Sequence, residues 1–250
     1  MTTLRIVVVY PDLLGTYGDG GNGLILARRA AWRGTEVELV QASSDAALPD
    51  AEIYCLGGGE DGPQVRAARS LIDDGTLARR AVDGAVVLAV CAGYQIVGKS
   101  FPGADGVPHE GVGLLDIVTA KGDGARAVGE VVADVTGASL PPLTGFENHG
   151  GRTTLAADTV PLARVTAGIG NGDGSGTEGA VTERVLGTYL HGPVLARNPA
   201  LADLLLAWAL DTEDLAPLDD GAAEALRLER LTAVGGSGRG GRRKFRKKNG

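Results

Sequence analysis

Ala85-Val-Val-Leu-Ala-Val90 contains no polar side chain, and it runs straight into Cys91-Ala-Gly-Tyr-Gln-Ile-Val97. A run this short and wholly apolar reads as a strand covered on both faces, the usual condition of a parallel sheet. The segment after it carries apolar residues at helical spacing, with small residues beside the cysteine. Strand, tight turn and helix in succession place Cys91 at the carboxyl edge of a sheet. Small neighbours there permit the sharply folded backbone of a nucleophile elbow. A helix N-terminus at that point also favours thiolate over thiol. The competing reading makes Cys91 a buried small hydrophobe, the commoner use of a free cysteine. Cys55, inside Ala51-Glu-Ile-Tyr-Cys-Leu56, fits that second description and is expected in the core.

A second pattern overlaps the first. Gly93-Tyr-Gln-Ile-Val-Gly98-Lys99-Ser100 matches the phosphate-loop spacing G-x-x-x-x-G-K-[ST] and follows a strand. A phosphate loop needs exposed backbone N–H groups curled round the anion, and it is built from small residues. Tyr, Gln, Ile and Val at the variable positions prefer a packed helix instead. A nucleotide-binding regulator using Gly93–Ser100 is therefore the reading from a different functional class.

The remainder alternates in the same texture. Leu4–Tyr10, Glu36–Val40 and Ala51–Leu56 read as strands, and Gly23–Arg33 reads as an amphipathic helix that Asn22 would cap. Pro63–Val82 reads as helical with a break at Gly75. Short apolar strands between helices predict an α/β fold, an open and mostly parallel sheet flanked by helices, with ligands outside the carboxyl ends of the strands. From Gly111 onward the pieces are strand-like: Val112–Ala120, Ala127–Val135, Leu143–Glu147, Leu162–Ala167, Gly179–Val181 and Val185–Leu190. Pro199–Leu210 and Gly221–Thr232 follow as helices. No internal repeat appears, and 1–233 is expected to be one domain.

Charge divides the chain. Arg239–Gly250 holds seven Lys and Arg and no acid, which leaves 17 basic against 31 acidic residues in the rest. An acidic body argues against nucleic acid as the main partner, and the low-complexity basic tail, 234–250, is expected to be disordered. Two cysteines exclude a disulfide scaffold and fit a reducing, cytosolic setting. No apolar run approaches the ~20 residues of a membrane helix, and Met1-Thr-Thr-Leu-Arg leads directly into a strand without a signal-peptide pattern.

A nucleophilic cysteine needs a base, an oxyanion site and groups that hold substrate. His191 ends a strand before Gly-Pro and so shares the sheet edge with Cys91. His149 lies in the polar turn Gly145-Phe-Glu-Asn-His-Gly-Gly-Arg152, and His109 in a loop. His191 is the first choice of base and His149 the second. The backbone N–H of Ala92 is one oxyanion donor. The Gly57-Gly58-Gly59 turn, with Gly58 at its centre, is either the other donor or an ordinary strand-to-helix turn.

Leu56-Gly-Gly-Gly-Glu-Asp-Gly-Pro-Gln64, Val90-Cys91-Ala-Gly-Tyr-Gln95 and Thr188-Tyr-Leu-His191-Gly-Pro193 occur in the order of class I glutamine amidotransferases. Gly145-Phe-Glu-Asn-His-Gly-Gly-Arg-Thr153 is similar to the cobyric acid synthase branch. The opening Tyr10-Pro-Asp-Leu-Leu-Gly-Thr-Tyr-Gly-Asp-Gly-Gly-Asn22 resembles the glutaminase subunits of lipid II isoglutaminyl synthases. The likeness spans Leu4 to Leu210. It implies Cys91 as nucleophile, His191 as base and Arg126 as the glutamine-binding arginine, although Arg152 is also available to a carboxylate. It further implies a heterodimer with a Mur-ligase-like partner, MurT, which brings ATP and Mg to amidate the D-glutamate of the lipid II stem peptide. This chain would then need no cofactor or metal and would work in the cytoplasm, where the inner membrane face presents lipid II. The nearest alternative is the glutaminase part of a cobyrinate or cobyric acid amidating system. Many class I members carry an acid two residues after the histidine; Pro193 stands there in this chain, and the resemblance names no other group to orient His191.

Overall fold

The structure, a computed structural model, describes residues 3–237. Its first half alternates: β1 (Leu4–Val9), α1 (Gly21–Trp32), β2 (Val37–Ala42), β3 (Ile53–Leu56), α2 (Asp61–Asp74), α3 (Thr76–Val82), β4 (Val86–Val90) and the short α4 (Ala92–Ile96). Strands then dominate, from β5 (Ser100–Pro102), β6 (Pro108–Glu110) and β7 (Ile117–Lys121) to β8 (Ala127–Val135), β9 (Leu143–His149) and β10 (Gly151–Leu155). β11 (Ala163–Ala167), β12 (Thr177–Glu178), β13 (Ala180–Thr182) and β14 (Val185–Thr188) complete them. The helices α5 (Val194–Arg197), α6 (Pro199–Ala209) and α7 (Gly221–Ser237) follow.

The central sheet has the order β13-β14-β4-β3-β1-β2, parallel throughout except where β13 meets β14. β3 and β4 are buried at every position, as their unbroken apolar runs demand, whereas β2 at the sheet edge exposes several residues. The expected open α/β sheet is this one. The second half adds two four-stranded sheets, β10-β7-β5-β6 and β12-β11-β8-β9, whose pairings are mainly antiparallel. An isolated bridge between Phe146 and His191 ties β9 to the chain just past β14.

Several local expectations need correction. β5, β6, β10 and β12 fall in short, polar or Gly-rich stretches without strand periodicity, and within Val112–Ala120 the pairing begins only at Ile117. Asn22 does not cap α1; it lies inside the helix, and its Oδ1 accepts the Leu195 N–H at 3.1 Å. α7 runs to Ser237, so 234–237 are helical, and 238–250 lie outside the described residues. The helical break at Gly75 is present, with the glycine at φ 69° between α2 and α3. Among the described residues no helix is long and apolar enough to cross a membrane.

The tightest point lies where α4 leaves β4. A Cβ on Gly93 would stand 2.7 Å from the Leu56 Cβ and 2.9 Å from its carbonyl oxygen. Gly93→Ala is therefore expected to push α4 off the end of β3 and to cost about 1–3 kcal/mol. Thermal unfolding should register this as a loss of several degrees in Tm.

Candidate active site

Cys91 sits between β4 and α4 with φ 53° and ψ −104°, a conformation that non-glycine residues seldom adopt. The turn is pinned from both sides. The Cys91 N–H donates to the Thr188 carbonyl at 2.9 Å, and the Gly93 N–H donates to the Gly57 carbonyl at 3.1 Å. This is the sharp elbow that the small residues after the cysteine predict. Cys55, by contrast, is buried in β3, and burial pushes its thiol up to about 12, so it stays a neutral core residue.

His191 lies three residues past the end of β14 and is 2% exposed. Its Nδ1 is 2.8 Å from Asp19 Oδ2, and that same oxygen accepts the Gly58 N–H at 3.0 Å. Asp19, in the loop between β1 and α1, is itself 2% exposed. Tyr17 of the same loop packs its ring against the imidazole at 4.7 Å between centroids. His191 Nε2 has no hydrogen-bond partner and is the nitrogen left for the cysteine side. Burial opposes a charged imidazole here. The bond to Asp19 and then the neighbouring Cys91 outweigh it and push the His191 pKa up to about 10.

In front of Cys91 opens a cavity of about 220 Å³ whose wall includes Ala92, Gln95, Gly59, Arg126 and His149. Arg126 is held across it by Asn148, its Nε bonding to the side-chain oxygen at 3.1 Å and its Nη2 to the carbonyl at 3.0 Å. Asn148 is in turn held by Tyr17, donating to its hydroxyl at 2.9 Å. Arg152, the other available arginine, turns to the carbonyls of Gly151 and Ala125 and is not part of this wall. Ala92 opens α4, so its N–H has no intrahelical acceptor.

The expectation for Gly58 is corrected. Its N–H is spent on Asp19, and the member of the glycine triplet on the cavity wall is Gly59. His149 reaches the cavity, but its ring stacks on Tyr189 at 3.7 Å and its Nδ1 bonds the Gly151 carbonyl; Cys91 is not its partner. His109 is half-buried on β6 and packs near Phe101 rather than sitting free in a loop. Asp19 is the residue that sequence reasoning missed. The signal available was an acid among glycines, Gly18-Asp19-Gly20-Gly21, just beyond a strand that ends on the ligand-binding edge.

The phosphate-loop pattern folds otherwise. Tyr94, Ile96 and Val97 are fully buried, the Gly93 N–H is taken by Gly57, and Lys99 pairs with Asp116. A phosphate finds no open row of N–H groups there, which removes the physical basis of the nucleotide-binding reading. Among the described residues no cluster of His, Cys, Asp and Glu is placed to hold a metal ion.

Residues 5–199 match the CobB/CobQ-like glutamine amidotransferase domain. The subunit GatD of lipid II isoglutaminyl synthase (glutamine-hydrolyzing) from Staphylococcus aureus strain N315 is 36% identical over 218 residues, covering 86% of this chain and 88% of that protein. Its counterpart from Streptococcus pneumoniae strain R6 is 35% identical, covering 83% and 80%. Among solved structures, PurLQS from Thermotoga maritima superposes with a TM-score of 0.57 at 19% identity, over 84% of this chain and 99% of that one, a likeness of fold. With its elbow, its cavity and these relatives taken together, the chain belongs to the CobB/CobQ-like glutamine amidotransferase family, in its GatD branch.

Proposed function

We propose that the chain hydrolyses glutamine to glutamate and ammonia and delivers the ammonia to a Mur-ligase-like partner, MurT, which amidates the D-glutamate of the lipid II stem peptide. The observation that carries the first half is Cys91 at an elbow beside a buried, polarised imidazole, facing a cavity that also holds an arginine. The naming of the relatives as subunits of lipid II isoglutaminyl synthase supports the second half.

Glutamine enters with its α-carboxylate on Arg126, whose planar fork offers paired charge-assisted bonds. The Cys91 sulfur, its proton already held on His191 Nε2, attacks the side-chain amide carbon. Negative charge gathers on the amide oxygen beside the Ala92 N–H, with the Gly59 peptide on the same wall. His191 then gives its proton to the departing nitrogen, and ammonia leaves behind a glutamyl thioester. Water, deprotonated by His191, attacks the thioester carbon; the Cys91–carbonyl bond breaks and glutamate is released. Activation of the acceptor carboxyl is the partner's task, with ATP and Mg bound there. The pair would work in the cytoplasm, at the membrane face that presents lipid II.

Cys91→Ser is expected to lower glutaminase turnover at least ~1000-fold with the melting temperature preserved, since loss of a nucleophile commonly removes several orders of magnitude. A turnover within tenfold of wild type, measured as glutamate release, would reject the assignment.

Arg126→Ala should act mainly on KM for glutamine. Removing one charge-assisted pair costs about 2–4 kcal/mol, equivalent to roughly 30- to 1000-fold. Lys99→Ala removes only an exposed ion pair with Asp116 and should leave both kcat and KM near wild type. Co-purification with a Mur-ligase-like protein and glutamine-dependent amidation of lipid II test the partner. If the amidated product proved to be a corrinoid, the partner assignment would fall while the glutaminase stood.

A further inference from the structure

We propose that Asp19 is the positioning acid for His191, and that Gly57-Gly58-Gly59 lacks side chains in order to seat it. The inference rests on the glutaminase reading and adds to it the group that holds the base.

Asp19 meets His191 as an orienting carboxylate must, on the nitrogen opposite the thiol, at 2.8 Å and out of solvent. Such a bond fixes the tautomer with Nδ1 protonated and leaves Nε2 to exchange the proton with Cys91. The carboxylate is expensive to bury. Oδ2 has two donors, His191 and Gly58, while Oδ1 has no partner at all. A half-satisfied buried carboxylate contributes little to stability by itself, and orienting a base gives it a reason to be there.

The glycine triplet supports the same assignment. A Cβ on Gly57 would lie 2.3 Å from the Leu14 carbonyl oxygen and 3.1 Å from the Asp19 Cβ. On Gly58 it would lie 2.9 Å from His191 Cε1 and 3.2 Å from Asp19 Oδ2, and on Gly59 2.8 Å from the Leu13 carbonyl oxygen. Each glycine therefore clears space for the β1–α1 loop or for the pair itself. Tyr17 packs its ring against the imidazole and would itself stand 3.4 Å from a Cβ on Gly58. The charged and titratable groups facing His191 are Asp19, Tyr17 and Cys91. Arg197, close to Gly192, is turned to Glu130 with bonds of 2.8 and 3.1 Å.

The test uses the full chain, alone and co-expressed with its ligase partner. Asp19→Asn preserves shape and removes the charge. It should lower glutaminase kcat roughly 100- to 10,000-fold, the range associated with a positioned acid–base group, and leave KM for glutamine within about threefold. The alkylation of Cys91 by iodoacetamide should change with it: the pH profile set by the histidine–thiol pair should shift by more than one pH unit. Asp19→Glu, which restores the charge, should recover part of both. Should Asp19→Asn fold poorly, imidazole NMR on the wild-type chain decides, with His191 identified by its loss in His191→Gln. A His191 titration midpoint above the ordinary histidine range, near 6.5, supports the assignment. An ordinary midpoint, or an Asp19→Asn protein with wild-type kcat and an unshifted alkylation profile, overturns it. Absence of glutaminase activity in the wild-type chain and complex would instead overturn the reading on which it rests.

Discussion

The backbone turn at Cys91 is unfavourable in isolation, and the rest of the site depends on its being held. A non-glycine residue at φ 53° costs of order 1–3 kcal/mol and persists only where surrounding structure over-determines it. Here the neighbours in the sheet supply that constraint. Parallel pairing sets Thr188 of β14 beside Val90 and Leu56 of β3 beside Ala89, so the chain ends leaving both strands flank the elbow. Thr188 accepts the Cys91 N–H, Gly57 accepts the Gly93 N–H, and Cys91 itself accepts the Gln95 N–H at 3.0 Å as α4 begins. The two strands that restrain the turn are also the ones that deliver His191 and the glycine triplet. Strain at the nucleophile and placement of its partners are thus one consequence of sheet register.

Behind the cavity the interior turns polar, unlike the apolar core round β1, β3 and β4. Gln64 donates to Gln95 at 2.8 Å, Gln95 to the Tyr189 hydroxyl at 3.1 Å, and Tyr189 meets Thr153, which meets Thr119. A chain of mutually satisfied groups of this kind fixes one arrangement, because any slip leaves a buried donor or acceptor unpaired. Glu147 is spent on the Ile169 and Gly170 N–H groups and so anchors the loop after β11. Glu178 accepts from Thr188 and Tyr189; burial, and more weakly the charge of Glu147, pushes its carboxyl up to about 7. The wall of the cavity that carries His149 is therefore stiffened from within by the polar side chains of β7, β9, β10 and the segment after β14.

What the sequence made legible follows period and burial. The strands β1, β3 and β4 announce themselves because burial on both faces forces an uninterrupted apolar run, and the elbow because a cysteine between strand and helix needs small neighbours. Gly75 was readable for the same local reason, as a glycine inside a helical pattern. β5, β6, β10 and β12 were not, since their pairing is long-range and their side chains carry no alternation. Cys91 and Arg126 line one cavity, and His191 lies buried beside the cysteine. Gly58 was misassigned because a glycine states only that a side chain would not fit; it does not say which neighbour excludes it. Asp19 shows in the sequence only as an acid among glycines, since nothing local ties a loop acid to a histidine 172 residues away.

The geometry of the sheet explains why those two misreadings are a single one. In the order β14-β4-β3-β1, His191 follows the first of these strands, Cys91 the second, the glycine triplet the third and Asp19 the fourth. For the carboxylate at the end of β1 to touch the imidazole at the end of β14, the β1–α1 loop must cross the ends of β3 and β4. Side chains on the residues leaving β3 would stand in its way: a methyl at Gly57, Gly58 or Gly59 would run into that loop, Asp19 or His191. An acid placed on the histidine's own strand, two residues on, would need no such crossing. With Pro193 at that position, the chain reaches the same bond from the far side of the sheet, and the three successive glycines are the consequence.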